Sequence, residues 1–148
     1  MSMKKLLFIS MVGVALLVGF GLKGPSMKRV TVISSAFDNN GAIPKEYTCQ
    51  GADDLPELTI NDIPATAKTL TIIVDDPDAP NSTWVHWVVF NIPASMNHLP
   101  RNVHKTGVLE QEGAVQATTS WKKTSWGGPC PPTGNHRYYF KIYALDTS

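Results

Sequence analysis

A stiff loop runs directly into a strand pattern in residues 127–146, which are Gly-Gly-Pro-Cys-Pro-Pro-Thr-Gly-Asn-His-Arg-Tyr-Tyr-Phe-Lys-Ile-Tyr-Ala-Leu-Asp. The three prolines fix φ and remove backbone donors, while the glycines allow close main-chain approach, so the loop is built to hold one shape. From Tyr138 onward, apolar residues alternate with a mixed set, which predicts a strand with one apolar face. His136 therefore lies where a rigid loop meets the rim of a predicted sheet.

Two earlier segments predict central strands. Residues 69–74 are almost continuously apolar or β-branched, which indicates a strand covered on both faces. Residues 84–93 alternate, and a period of two places Trp84, His86, Val88 and Phe90 on one face. We therefore expect His86 to face inward.

The rest of the chain favours short strands joined by turns. Strand-like residues occur at 28–37, 55–60 and 115–119, and Pro and Gly clusters separate them. Residues 94–105 have no usable period and are interpreted as a surface crossing, with His98 and His104 on the surface. Because no helical period appears in the body of the chain, the pattern predicts an all-β sandwich or barrel.

Composition limits the function classes. The chain has 148 residues, 43% of them hydrophobic, which suits one globular domain. Its 13 basic and 12 acidic residues give a formal net charge of +1. This balance offers no basic field for nucleic acid, so we expect no nucleic-acid partner.

The first 22 residues have the character of an export segment. Lys4 and Lys5 precede an apolar, uncharged run from 6 to 20, which is typical of a signal peptide. A full membrane span needs about 20 apolar residues, so cleavage is favoured over retention as an N-terminal anchor. The prediction is an exported protein, periplasmic or extracellular, with possible membrane association through this segment.

Carboxylates cluster directly after the first predicted central strand. Asp75, Asp76 and Asp78 surround Pro77 there, where solvation is poor unless partners exist. Asp75 is interpreted as a loop-capping carboxylate, because Asp side chains bond backbone amides in turns. Asp76, His86 and His136 therefore come from three separated segments, each at a strand end or on a strand that adjoins a proline-stiffened loop.

Two motifs in this order resemble the signature regions of the phosphatidylethanolamine-binding protein family, in its bacterial, Raf kinase inhibitor-like branch. The first is Asp76-Pro-Asp-Ala-Pro80 followed by Trp84 and His86, and the second is Gly128-Pro-Cys-Pro-Pro-Thr-Gly-Asn-His-Arg-Tyr138. The resemblance covers most of residues 34–146. It implies an antiparallel Greek-key β-sandwich with few short helices over residues 28–148, shorter at the C-terminus than is usual for the family.

The resemblance also implies a small pocket that binds an anion or a phosphorylated headgroup. The ligand-binding positions carried over are Asp76, His86, Gly128, His136 and Tyr138, and the loop-shaping positions are Asp78, Pro80 and Pro129. Imidazole, phenol and backbone N–H groups can donate to an anion, and a nearby carboxylate orients an imidazole. Anion affinity is then expected to rise as the pH falls through the histidine range.

Cys49 and Cys130 have two possible states. In an oxidising compartment they are a candidate disulfide, whereas elsewhere they are more often free buried thiols. The residues alone leave both states open. The resemblance favours the disulfide, because both positions carry cysteine in many bacterial members of the family.

Two other classes of function compete with a binding protein. Two histidines and a carboxylate suit an open metal site, and a His–Asp pair can activate a nucleophile. However, no nucleophile-elbow serine or regular metal-ligand spacing occurs, so we predict no enzyme, metal or cofactor. The other class is a regulator that recognises a phosphorylated or acidic segment of a protein partner, as the resemblance to eukaryotic kinase-pathway modulators implies.

Overall fold

The structure, a computed structural model, describes residues 29–148. The predicted signal peptide or anchor, residues 1–22, lies outside the described residues. Within the described chain, none of the helices is long and apolar enough to cross a membrane.

Strands are the main regular elements of the described chain. They are β1 Thr31–Ile33, β2 Leu58–Asn61, β3 Thr69–Asp76, β4 Trp84–Pro93, β5 His98–Leu99, β6 Val115–Gln116 and β7 Tyr139–Leu145. Helical structure is limited to α1 Val108–Gln111 and to 3₁₀ turns at Lys45–Tyr47 and Val103–Lys105. The prediction of a β-fold with few short helices is confirmed.

The strands form two antiparallel sheets. One has the order β1-β2-β5 and the other β6-β4-β3-β7, so β3 and β4 are the inner strands of the larger sheet, as predicted. The two sheets share one core, to which the small sheet contributes Leu58, Ile60 and Leu99 and the large sheet contributes Leu70, Ile72, Val74, Trp87, Val89 and Ile92. These long inner strands carry the candidate site at their ends.

A β-bulge changes which residues of β4 face the core. Val74 pairs with Trp87, but Asp75 pairs with Val85, so His86 is the extra residue on β4. Both His86 and Trp87 are buried as a result, at 2% and 0% exposure. The expectation that His86 shares a face with Val88 and Phe90 was wrong, because a bulge shifts the alternation by one residue.

The other face of the large sheet carries several exposed apolar side chains. Phe90 pairs with Val115, and both are exposed. On β7, Tyr139, Tyr143 and Leu145 are exposed as well. Among residues 29–148, the core thus lies on one side of the large sheet, and the alternating pattern of residues 138–145 marks this division.

Three local expectations differ from the structure. Residues 94–105 contain β5, whose Leu99 is fully buried, so the segment is not a simple surface crossing. His98 is exposed as expected, but His104 is buried, because its turn packs against α1 and is bonded by the Gln116 side chain of β6. Asp75 does not cap a loop; it is buried and bonds the Lys141 ammonium group on the neighbouring strand.

Burial of His104 should make the protein sensitive to acid. Burial, assisted by the charge of Lys105, lowers the pKa of His104 to about 4, from an unfolded value of about 6.5. The folded state therefore favours the neutral ring. As the pH falls from about 6.5 towards about 4, the unfolded chain takes up a proton at this ring and the folded protein does not, so the free energy of unfolding decreases. Its Nδ1 has no hydrogen-bonding partner among residues 29–148, so replacing the ring by an apolar one breaks no hydrogen bond at this atom.

We predict that His104→Phe weakens the pH dependence of unfolding between about pH 6.5 and about pH 4, by up to about 3 kcal/mol. Urea unfolding over this pH range measures the effect. The matched control is His98→Phe at an exposed position, which should keep the wild-type slope. An unchanged slope in His104→Phe would contradict the prediction.

Candidate functional site

The candidate site lies at one rim of the sandwich, where β3 ends and the proline-rich loop enters β7. Asp76 is the last residue of β3, and its Oδ2 accepts a hydrogen bond from Nδ1 of His136 at 2.7 Å. Both side chains are almost buried, at 5% and 10% exposure. The contact joins two segments that are 60 residues apart in sequence, as the resemblance implied.

A second pair, Asp78 and Arg137, joins the same two segments. Asp78 accepts hydrogen bonds from the backbone amide of Arg137 at 2.8 Å and from its guanidinium group at 2.6 and 2.9 Å. These bonds lower the pKa of Asp78 well below its usual range and raise that of Arg137. Asp76 also accepts the amide of Asp78 at 2.9 Å, which closes the turn after β3.

His86 is delivered to the same rim by the bulge in β4. Its Nδ1 lies 2.6 Å from the carbonyl oxygen of Gly127, so this loop carbonyl holds the ring in one orientation. Burial lowers the pKa of His86, although the Gly127 carbonyl and the charge of Asp76 oppose this effect. The neutral imidazole is therefore favoured in the folded protein.

Tyr138 packs against His86 at the same rim. Its ring packs edge-on against His86, with centroids 5.3 Å apart. Its hydroxyl is buried and has no hydrogen-bonding partner among the described residues. Burial, and next the charge of Asp76, raise the pKa of Tyr138 to about 12, against an opposing effect of the Cys130 backbone, so the hydroxyl stays protonated and able to donate.

Gly128 holds the loop in place. Its amide donates to Oδ1 of Asp53 at 2.8 Å, and a Cβ at this position would collide with that carboxylate and lie 2.7 Å from the carbonyl oxygen of Tyr47. The amide is thus already committed to the protein. Contact between Gly128 and a ligand stays a prediction.

The other loop-shaping positions lie around the same rim. The carbonyl of Pro129 accepts the amide of Cys49 at 3.0 Å, and Cys49 and Cys130 form a disulfide with Cα atoms 5.4 Å apart. The disulfide joins the proline-rich loop to the loop that contains Asp53. Pro80 is exposed in the turn between β3 and β4.

A groove of about 920 Å³ opens beside the site. His136, Arg137 and Tyr138 line it at one end. Apolar side chains of β1, β2, β7 and one loop contribute further walls, namely Val32, Ile33, Leu58, Phe140 and Phe37. The groove is large enough for a ligand of ordinary small-molecule size.

Three further residues support the site, although their roles were not predicted. Trp121 packs edge-on against His86, with centroids 6.1 Å apart. Asp53 holds Gly128, and Arg137 binds Asp78. Of these three residues, only Arg137 could have been found from the sequence, because it lies within the quoted motif. Trp121 and Asp53 lie in loops without a regular period.

No group of three or more His, Cys, Asp or Glu side chains suited to a metal ion occurs in residues 29–148. Asp76 is bonded to His136, and the recorded partner of His86 is a backbone carbonyl. The arrangement is therefore a set of oriented polar groups at the mouth of a groove. It defines an antiparallel β-sandwich protein with a histidine-lined pocket at one rim.

The comparison with family models identifies this class more closely. Residues 33–148 match the model described as phosphatidylethanolamine-binding protein. The chain therefore belongs to the phosphatidylethanolamine-binding protein family, as the two motifs predicted.

Relatives and solved structures agree with this assignment. A UPF0098 protein of Methanothermobacter thermautotrophicus is 47% identical over 76% of this chain and 74% of its own length. A UPF0098 protein of Archaeoglobus fulgidus is 43% identical over 82% of this chain, which spans only 42% of that relative. The solved structure of Escherichia coli YbcL, described as a member of the mammalian family, matches with a TM-score of 0.74 and 33% identity over 81% of this chain and 79% of YbcL.

Because the disulfide joins two loops at the rim, its removal should weaken the fold. Cys49 and Cys130 are 81 residues apart, and closing a loop of this length contributes about 4 kcal/mol on the chain-entropy model. We predict that Cys49→Ser/Cys130→Ser lowers the free energy of unfolding by about 2–5 kcal/mol. Denaturant unfolding with and without reductant measures this effect.

The reductant provides the control, because it should destabilise the wild type and leave the double variant unchanged. Two thiols labelled in the denatured, unreduced wild type would contradict the assignment of a disulfide.

Proposed function

We propose that this protein is a non-catalytic, Raf kinase inhibitor-like binding protein whose rim site takes a small anion or a phosphorylated headgroup without transforming it. The observation that carries the proposal is Tyr138, whose ring packs edge-on against His86 and whose buried hydroxyl has no hydrogen-bonding partner among residues 29–148. A buried polar group of this kind costs free energy unless something bonds it, so a polar ligand is a natural partner.

The surrounding contacts support binding over catalysis. Nδ1 of His86 bonds a backbone carbonyl, and Nδ1 of His136 bonds a carboxylate. Neither of these two hydrogen bonds orients a serine, threonine or cysteine as a nucleophile. Arg137 is occupied by Asp78. The available polar groups are therefore those that can orient a ligand, and the groove beside them gives room for the rest of it.

We expect the His86→Ala/His136→Ala double variant to lose at least about tenfold in affinity for inorganic phosphate, because both oriented rings are removed. Isothermal titration calorimetry with inorganic phosphate, and then with phosphoethanolamine, measures the change. Unchanged affinity in a folded double variant would refute the assignment of the site.

Two variants serve as controls for this experiment. His98→Ala removes an exposed histidine outside the site and should keep the wild-type affinity. His86→Gln retains an amide N–H that can donate to Gly127, so it tests whether a folded protein without this imidazole binds more weakly. Near-UV circular dichroism establishes that each variant is folded.

A second candidate function follows from the size of the groove. It extends beyond what a phosphate group fills, and it is lined by Lys45 and Asp38, while Arg137 at its end is already paired with Asp78. An acidic or phosphorylated segment of a protein partner fits such a groove, which supports a regulator or inhibitor. Phosphorylated and unphosphorylated forms of one peptide, titrated in parallel, would separate this function from recognition of a free small anion.

We also propose that the protein is exported through residues 1–22. The disulfide between Cys49 and Cys130 supports this location, because disulfides persist mainly in oxidising compartments. Cell fractionation with N-terminal sequencing of the recovered protein tests the proposal. A membrane-bound product that retains residues 1–22 would indicate anchorage, and a soluble cytosolic product would exclude export.

A further inference from the structure

The disulfide between Cys49 and Cys130 lies at the surface of the protein. Both cysteines are exposed, whereas Gly128 and Pro129, which come directly before Cys130, are buried. Structural disulfides in secreted proteins resist reduction, and exposed disulfides are the labile or regulatory ones. An external thiol can therefore reach this bond in the folded protein.

The bond also lies directly behind the wall of the groove beside the candidate site. The residues on either side of each cysteine line this groove, namely Thr48, Gln50, Pro129 and Pro131. Within residues 29–148, the lining includes neither cysteine. The disulfide thus ties two parts of the groove wall together from outside, where a reductant can attack it without entering the groove.

The part of the groove wall that follows Cys130 is fixed at its two ends. Residues 131–135 make no hydrogen bond with the rest of the described chain, and residues 132–135 are exposed. The disulfide holds one end of this stretch, and the bond between Asp76 and His136 holds the other. The residues of this stretch that line the groove are Pro131, Gly134 and Asn135.

We propose that the Cys49–Cys130 disulfide is a site of reversible thiol–disulfide exchange with a dithiol reductant, and that its reduction loosens this wall of the groove. A thiolate of the reductant attacks one sulfur and forms a mixed disulfide, while the other cysteine leaves as a thiolate and takes up a proton. The second thiol of the reductant then attacks the mixed disulfide. The reductant is thereby oxidised to a disulfide, and both cysteines become thiols.

Two hydrogen bonds that use no sulfur atom keep the reduced cysteines close together. The amide of Cys49 donates to the carbonyl of Pro129 at 3.0 Å, and the amide of Gly128 donates to Oδ1 of Asp53 at 2.8 Å. These bonds hold the two loops side by side after reduction. A disulfide oxidant can therefore re-form the bond in the folded protein, which makes the exchange reversible.

Reduction should also change how the groove holds a ligand. It releases one end of residues 131–135, so the ligand must order this stretch when it binds. A ligand that contacts both loops then prefers the oxidised protein, and by thermodynamic linkage it protects the disulfide against reduction to the same extent. This consequence rests on the proposed function, whereas the exchange itself does not.

Reduction of the folded wild-type protein by dithiothreitol tests the exchange. Free thiols are trapped with an alkylating reagent and counted by mass spectrometry, at several dithiothreitol concentrations and in urea below the unfolding transition. We expect the rate to rise in proportion to dithiothreitol and to stay within about twofold across this urea range. A rate that rises with urea and saturates with dithiothreitol would show that only the unfolded chain is attacked, and would overturn the proposal.

Amide hydrogen exchange, followed by NMR, tests whether reduction loosens the wall. The amides of Cys49 and Gly128 should exchange at least about tenfold faster in the reduced protein, through openings that do not depend on urea. This independence separates local opening from the general loss of stability that follows removal of the bond. Unchanged exchange at both amides, or complete unfolding on reduction, would overturn the proposal.

The Cys49→Ser/Cys130→Ser variant is the matched control for the exchange measurement. It lacks the disulfide but keeps both hydrogen bonds between the loops, so it should show the fast exchange of the reduced protein. Dithiothreitol should leave its exchange rates unchanged. A change on adding dithiothreitol would show that the reductant acts elsewhere in the chain, and would overturn the assignment to this bond.

Titration with inorganic phosphate connects the exchange to the site. Phosphate should bind the oxidised protein at least about threefold more tightly than the reduced protein, and saturating phosphate should disfavour reduction by the same factor. If phosphate binds neither form, the proposed function fails, while the reduction rates and amide exchange still decide the proposal. Equal affinities of the two forms would show that the exchange does not control the site.

Discussion

The hydrogen bond between Asp76 and His136 is the interaction on which the rim of this protein depends. It closes a separation of 60 residues between the end of β3 and the loop that precedes β7, and both side chains are nearly buried. A carboxylate at such a position needs partners, and Asp76 has two, the imidazole and the amide of Asp78. The ring of His136 is oriented by the same bond that docks its loop.

Around this junction, each supporting contact fixes a different part of the proline-rich loop. The Gly127 carbonyl meets His86, the Gly128 amide meets Asp53, and the Pro129 carbonyl meets Cys49. Consecutive residues are thus tied to β4 and to two points of a second loop. The disulfide adds a covalent tie one residue later, at Cys130. Such a loop can hold side chains at fixed positions without lying in a sheet.

The sequence allowed the long strands and the meeting of the two motifs to be predicted. The bounds of β4 were found because its pattern is bordered by clear turns, and β3 extends the predicted segment by two acidic residues. Asp76, His86, His136 and Tyr138 were brought together by resemblance to a family, since no local pattern contains their contacts.

The features that were missed depend on distant partners. The bulge at His86 is a property of the pairing between β3 and β4, so alternation within β4 alone gives the wrong faces. Burial of His104 depends on packing of a turn, and the role of Gly128 depends on Asp53, 75 residues away. Local sequence composition does not indicate these contacts.

The extra residue in β4 also limits how this strand can change during evolution. A second register shift lies near Asn91. The two shifts bound a short segment of β4 and together determine which of its side chains face the core. Loss of the extra residue at the first of them would restore regular pairing with β3 but would remove the ring that meets the Gly127 carbonyl. Length variation among descendants should therefore accumulate in the connecting loops, while β4 keeps a constant number of residues.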